Sequence, residues 1–251
     1  YEQVKEAIRP ESLLPMKVSE PVARESIRSW YGRQWLAPNG FAGKATTDTV
    51  KGLYLPYWTF DANVLARWTA DSGEYYYVGN GDKREQRVKW TPVSGELTHA
   101  FDDDLVCASM GVHASLLRGV EPFPTTDGLV PYDAGYLSGW TVERYQIDLV
   151  TSAQRSRAQM DSALRELCAR QVPGDTHRNL QVEAHYSKQT FKHILAPVWL
   201  MSYVYRGRPY QVVVNAVSGR VAGERPWSWI KVTLLVLVIV IALIVVNALN
   251  N

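Results

Sequence analysis

The chain has 251 residues, 46% hydrophobic and 21% charged, a composition that excludes a disordered protein. Against 27 Lys and Arg stand 25 Asp and Glu, a net charge of +2 that is too even for a large duplex-binding face, though not for a local basic patch. Two cysteines, Cys107 and Cys168, cannot build a zinc ribbon or a disulfide framework within these residues, and they read as free thiols of a reducing compartment.

Residues 1–9 carry charges but no apolar core, so no signal peptide is expected. Residues 13–18 predict a short strand, and Ser19 caps a helix with Glu20 and Pro21 in its first turn. Ala23, Ile27, Trp30, Tyr31 and Gln34 share one face of that helix, and Pro38-Asn39-Gly40 ends it. Residues 53–68 read as a strand interrupted by Pro56 and residues 74–78 as another, with a turn over Gly79-Asn80-Gly81-Asp82. Short strands follow at 87–93 and 96–101. In the second half, residues 141–149 alternate like a strand, and Thr151 or Ser152 caps a long helix reaching Val172. Its predicted buried stripe is Ala153, Met160, Leu164, Leu167 and Cys168, and its outer face pairs Arg157–Asp161, Asp161–Arg165 and Glu166–Arg170. Pro173-Gly174 stops it, strands are expected at 180–186, 194–205 and 209–214, and Arg206-Gly207-Arg208 forms a tight hairpin turn.

A local repeat links the halves. Lys51-Gly52-Leu53-Tyr54-Leu55-Pro56-Tyr57-Trp58 aligns with Lys192-His193-Ile194-Leu195-Ala196-Pro197-Val198-Trp199, and proline at one place in both suggests edge strands or bulges. Trp58 and Trp199 are therefore expected in equivalent buried places. The reading is α+β: a first module over 1–135 with extra hairpins, a second over 136–226, and a C-terminal segment over 227–251. The strand, Ser-Gly turn and strand of residues 211–221 resemble the end of PepSY-type domains, small α+β modules that bind partners or regulate.

The C-terminal segment carries the strongest signal. Thirteen of the fifteen residues 232–246 are Val, Leu or Ile, and none is charged. Residues 230–249 would span ~30 Å as a helix, the thickness of a hydrocarbon core. The aliphatic residues contribute about −5 kcal/mol towards insertion. Val232, Leu235, Ile239, Leu243 and Val246 represent the span; Trp227, Trp229 and Lys231 fall where a membrane interface belongs. Arg206, Arg208, Arg220, Arg225 and Lys231 precede the span and no charge follows it, so the bulk of the chain is expected inside and the C-terminus outside.

Chemistry is sparser. No phosphate loop, GxSxG, HExxH or CxxC pair is present. Asp102, Asp103 and Asp104 form the main acidic cluster. It reads as a solvated turn or cap, or else as a cation or partner site, and strand alternation forbids all three from converging on one ion. His99, His113, His177, His185 and His193 lack ligand spacing, although His185 and His193 could meet across a hairpin. The interleaved Arg and aromatics of residues 199–210 suit either a small sheet core or a single-stranded nucleic-acid surface. The residues thus point to a protein that is not an enzyme and holds no cofactor.

The runs Glu11-Ser12-Leu13-Leu14-Pro15, Trp35-Leu36-Ala37-Pro38-Asn39 and residues 52–61 resemble a bacterial family of membrane-anchored zinc-ribbon proteins. Val93-Ser94-Gly95, Phe101-Asp102-Asp103, Leu129-Val130-Pro131-Tyr132-Asp133, Thr190-Phe191-Lys192-His193 and residues 223–228 continue the resemblance. The family is often labelled as similar to the primosomal replication helicase, through its zinc ribbons and not a motor domain. Its implied associations are flotillin-like SPFH scaffolds and the phage-shock membrane-stress system. Its cysteine pairs would fall before the matched part, so any zinc belongs upstream of Tyr1 and no residue here is assigned to metal. The resulting expectation is a single-pass, tail-anchored scaffold of the bacterial inner membrane that localises an SPFH-type or stress-effector partner as a hetero-oligomer. The alternatives are a replication-linked nucleic-acid binder and an enzyme with an unrecognised site.

Overall fold

A computed structural model describes residues 8–38, 49–79 and 84–249. Asn39 and Gly40 of the expected helix stop, and Asn80, Gly81 and Asp82 of the expected turn, lie outside the described residues. The elements are β1 (Ser12–Leu13), α1 (Glu20–Gly32), β2 (Val50–Val78), β3 (Glu85–Cys107), α2 (Ala114–Val120), α3 (Thr125–Gly128), β4 (Val130–Pro131), a 3-10 turn (Ala134–Leu137), β5 (Thr141–Val142), α4 (Leu149–Gln171), β6 (Thr176–Tyr205), β7 (Arg208–Asn215), β8 (Val221–Gly223) and α5 (Trp229–Leu249). This is the expected mixture of helices with a largely antiparallel sheet, whose hydrogen-bonded order is β3-β2-β6-β1-β4, with β5 on β2 and β7 joining β6 to β8.

The chain forms two compact units, each drawn from three stretches. Unit 1 is Tyr1–Glu11, Tyr57–Ala108 and Tyr145–Ile194; unit 2 is Ser12–Pro56, Ser109–Arg144 and Leu195–Asn251. They are interleaved along the chain, unlike the consecutive modules expected over 1–135 and 136–226, because β2 and β6 each pass from one unit into the other.

In unit 1, β2 and β3 pair from Tyr57↔Cys107 to Val78↔Glu85. Alternate residues Val64, Ala66, Trp68 and Ala70 turn inward, where they meet Met160, Leu164 and Cys168 of α4. The α4 cap is Asp148, whose carboxylate accepts from Thr151 N at 2.7 Å, and not Thr151 or Ser152 as the sequence suggested. Its buried residues are Ser152, Ser156, Met160, Leu164 and Cys168. Two small serines thus occupy the row next to the sheet, while Ala153 is exposed. Gly174 ends the helix region at φ +93°, and a Cβ there would lie 2.8 Å from Gly73 O.

In unit 2, Ala23, Ile27 and Tyr31 of α1 pack on Trp199, Met201, Tyr203, Val212 and Val214. The β6–β7 hairpin closes through Arg206 at φ +50° and Gly207 at φ +76°, with Tyr205 opposite Arg208, so the tight turn forms as expected. The strand–turn–strand end also forms, with Val214 opposite Val221. Asn215 Oδ1 accepts from Val217 N and Ser218 N to shape its turn.

Strand lengths depart most from expectation. The pieces expected at 53–68 and 74–78 are one strand, as are those at 87–93 and 96–101, and those at 180–186 and 194–205. His185 and His193 therefore sit on one strand, ~26 Å apart at eight residues, and do not meet. Residues 141–149 hold only the two-residue β5, since the chain turns into the α4 cap. Pro56 and Pro197 lie inside long strands; β2 pairs with β5 at Tyr54 and with β3 from Tyr57, so Pro56 falls between two ladders. Pro197 likewise lies just before the β7 ladder begins at Val198.

The repeat is structural. In unit 1, Trp58 faces Val106, its Nε1–H donates to Ile147 O at 3.1 Å, and the amides of Gln146 and Ile147 both donate to Ala108 O. In unit 2, Trp199 faces Val214, its Nε1–H donates to Val18 O at 2.8 Å, and the amides of Lys17 and Val18 both donate to Ala216 O. Ile147 and Val18 each stand immediately before a helix cap, Asp148 and Ser19. Each tryptophan thus pins the entrance of a helix that belongs to the other repeat: α1 precedes β2 in the chain but packs on the hairpin of Trp199.

Candidate functional site

The acidic cluster is built by a β-bulge in unit 1. Register shifts between Phe60↔Asp104 and Ala62↔Phe101, so Asp61 faces both Asp102 and Asp103. Asp103 takes a left-handed φ of +53°, and carboxylate oxygens of Asp61, Asp102 and Asp103 lie within 4.8 Å of one another. The bulge is what lets adjacent residues of one strand converge. Asp104 points elsewhere, accepting from Ser156 Oγ of α4 at 2.5 Å, so the three neighbouring aspartates do not share a site, as alternation required. Burial pushes the Asp104 carboxyl above its ordinary range, against the Ser156 hydrogen bond. Asp61 carried no flag in the sequence reading; only the bulge brings it in.

Structural partners occupy this cluster. Asp61 accepts from Asp103 N at 2.8 Å and from Thr190 Oγ1 at 2.8 Å. The Lys192 ammonium lies 3.5 Å from Asp103 and 4.0 Å from Asp61. The arrangement is a lysine-neutralised carboxylate group that fastens β6 to the bulge.

The aromatic cover of Trp58 lies in the same unit. His193 stacks on its indole with centroids 4.7 Å apart, and Tyr145 and Phe191 approach its edges. His193 Nδ1–H donates to Ile8 O at 2.8 Å, whereas the buried Nε2 has no hydrogen-bond partner among the described residues. Burial holds this imidazole below the ordinary histidine range, opposed by the backbone acceptors Ile8 and Arg9 and by the charge of Glu11. In unit 2, the Tyr203 hydroxyl donates to Glu224 O, and burial pushes its phenol upward. A cleft of about 560 Å³ there carries charges of both signs from Lys17, Lys51 and Glu20 beside Trp140.

The other candidate is α5. Its 21 residues have a mean hydropathy of 3.2 over the most apolar window, and none of that window is buried. Val232, Leu235, Ile239, Leu243 and Val246 all lie on it. It is long and apolar enough to cross a membrane. Trp227 and Trp229 are 55% and 80% exposed at its start. Lys231, the third residue of α5, donates from Nζ to Trp35 O at 2.9 Å and Ala37 O at 2.8 Å. Ser228 N donates to Leu36 O and Ser228 O accepts from Val232 N, so the first turn of α5 is tied to residues 35–37.

The uncharacterized protein YdjG of Bacillus subtilis strain 168 is 24% identical over 226 residues, or 90% of this chain. The chain spans 66% of YdjG, just under two thirds of its length. No protein-family model matches the chain. No solved structure matches it either.

Proposed function

We propose that the chain is a non-catalytic scaffold held at a membrane by α5, where it recruits a protein partner. The carrying observation is the helix itself: 21 residues long, with an unburied apolar window, and with its first turn hydrogen-bonded to the domain. The charge asymmetry of the sequence supports a bulk on the cytoplasmic side of a bacterial inner membrane, with the C-terminus outside. Structural duties held by four aspartates support a binding role: Asp61 and Asp103 hold Lys192, Asp104 holds Ser156, and Asp71 holds Arg178 and Asn179. Tyr75, Tyr76 and Tyr77 at the end of β2 are 45%, 45% and 62% exposed, a side-chain type favoured in protein interfaces. The zinc-ribbon family resemblance suggests an SPFH-type or membrane-stress partner.

The experiment compares the full chain with one ending at Ser228. The full chain should stay in carbonate-washed membranes, resist protease added to spheroplasts, and co-purify a partner absent from the shortened form. Recovery of both forms in the soluble fraction, or an equal partner yield from each, rejects the proposal.

A further inference from the structure

Trp35 is 61% exposed on the turn that follows α1. It is 196 residues from Lys231 in sequence, yet its carbonyl receives the Lys231 ammonium at 2.9 Å. Leu36 O receives Ser228 N and Ala37 O receives the same ammonium, so residues 35, 36 and 37 each contribute one acceptor to the start of α5. Residue 231 is the third of the helix. The main chain of Trp35 therefore lies one lysine side chain from α5, at the level where the helix would leave the hydrocarbon. Three large apolar side chains from the other partner of this junction, Trp227, Trp229 and Ile230, are exposed at the same level. The Arg225 guanidinium sits 4.9 Å above the Trp227 ring, a pairing suited to an anionic headgroup layer.

Indole rings favour the boundary of headgroups and acyl chains, where the ring is desolvated and the N–H stays wet. We infer that Trp35 is an additional membrane-interface residue, and that unit 2 rests its 35–37 turn in the headgroup boundary beside α5. This rests on the reading of α5 as a membrane span. The occupant of the exposed surface is the lipid itself, because the surface continues directly from the helix and is fastened to it by hydrogen bonds. The domain is consequently held against the bilayer, not suspended from a free linker.

The test uses the full chain in vesicles of phosphatidylcholine and phosphatidylglycerol, plain or brominated near the headgroup or near the bilayer centre. Emission of Trp35 is the difference between the parent and Trp35→Phe, a change at an exposed position whose unfolding profile should match the parent. Trp35 emission should fall at least about twofold with shallow bromine and less with deep bromine, as for an interfacial indole. Unquenched Trp35 emission, with Trp227 and Trp229 still quenched in the Trp35→Phe protein, overturns the inference and leaves the span standing; the exposed ring would then face a protein. Absence of quenching in both proteins removes the span and the inference together.

Discussion

In unit 1 the indole of Trp58 is covered by His193, stacked at 4.7 Å; in unit 2 the indole of Trp199 is covered by Trp140, edge-on at 5.3 Å. The residue aligned with His193 is Gly52, and a Cβ on it would lie 2.4 Å from the Trp140 ring. The same frame, a Pro-x-Trp strand pinning a helix entrance, is thus filled by a titratable ring once and by an apolar ring once. Absence of a side chain at position 52 is what admits Trp140. A repeat retains its hydrogen-bond skeleton while the residue that fills its core changes character, so equivalence is best sought in Trp Nε1 and its carbonyl.

The comparison breaks most decisively at the two tryptophans. Trp58→Ala and Trp199→Ala should each cost ~3–5 kcal/mol in urea unfolding of the detergent-solubilised chain, since both are buried and anchor a helix entrance. A cost below about 1 kcal/mol for either one would end the equivalence. Gly52→Ala should cost about 1–3 kcal/mol by overpacking Trp140, and Trp140→Leu in the same background should recover part of it. Recovery would show that Gly52 makes room for the indole; equal losses in single and double variants would mean backbone strain instead.

A third expectation separates the units by pH. His193 is depressed on folding, so the folded state binds fewer protons than the unfolded one near the usual histidine pKa of ~6.5. Its contribution to stability is full above that range and is lost as pH falls through it. His193→Gln should flatten this acid loss, measured as the urea midpoint across the histidine range; an unchanged slope would assign the acid sensitivity to other groups. The smallest effect is expected at Lys192, 40% exposed beside Asp61 and Asp103, where Lys192→Met should cost ~1 kcal/mol or less. A larger loss would mean the bulge depends on that ammonium.

Helix α1 was legible because Ala23, Ile27 and Tyr31 repeat at the spacing of one helical face. The Arg206-Gly207 turn was legible because two left-handed residues in a hairpin call for glycine. The buried row of α4 was legible at Met160, Leu164 and Cys168, but its serines were not, because Ser152 and Ser156 hold positions that hydrophobicity assigns to larger residues. Nor were the long strands: Gly95 reads as a break, yet the Trp68 ring covers it, leaving 2.4 Å where a Cβ would be. The acidic site was half legible. Asp102 and Asp103 stood out in sequence, but Asp61 joins them only through a one-residue bulge that alternation conceals.

The exchange of helices between repeats sets a timetable for biosynthesis. Unit 1 has all its parts once the ribosome has delivered Ile194, whereas unit 2 still lacks the strands that α1 requires. Residues 12–56, made early, must wait with Ala23, Ile27 and Tyr31 unburied until β7 emerges. During that interval the nascent chain presents one finished unit and one sticky, half-made one, a species for which a chaperone would compete. The residues that end the wait, 195–223, are followed at once by α5, so the completion of unit 2 and the delivery of the apolar helix are nearly simultaneous events on the ribosome.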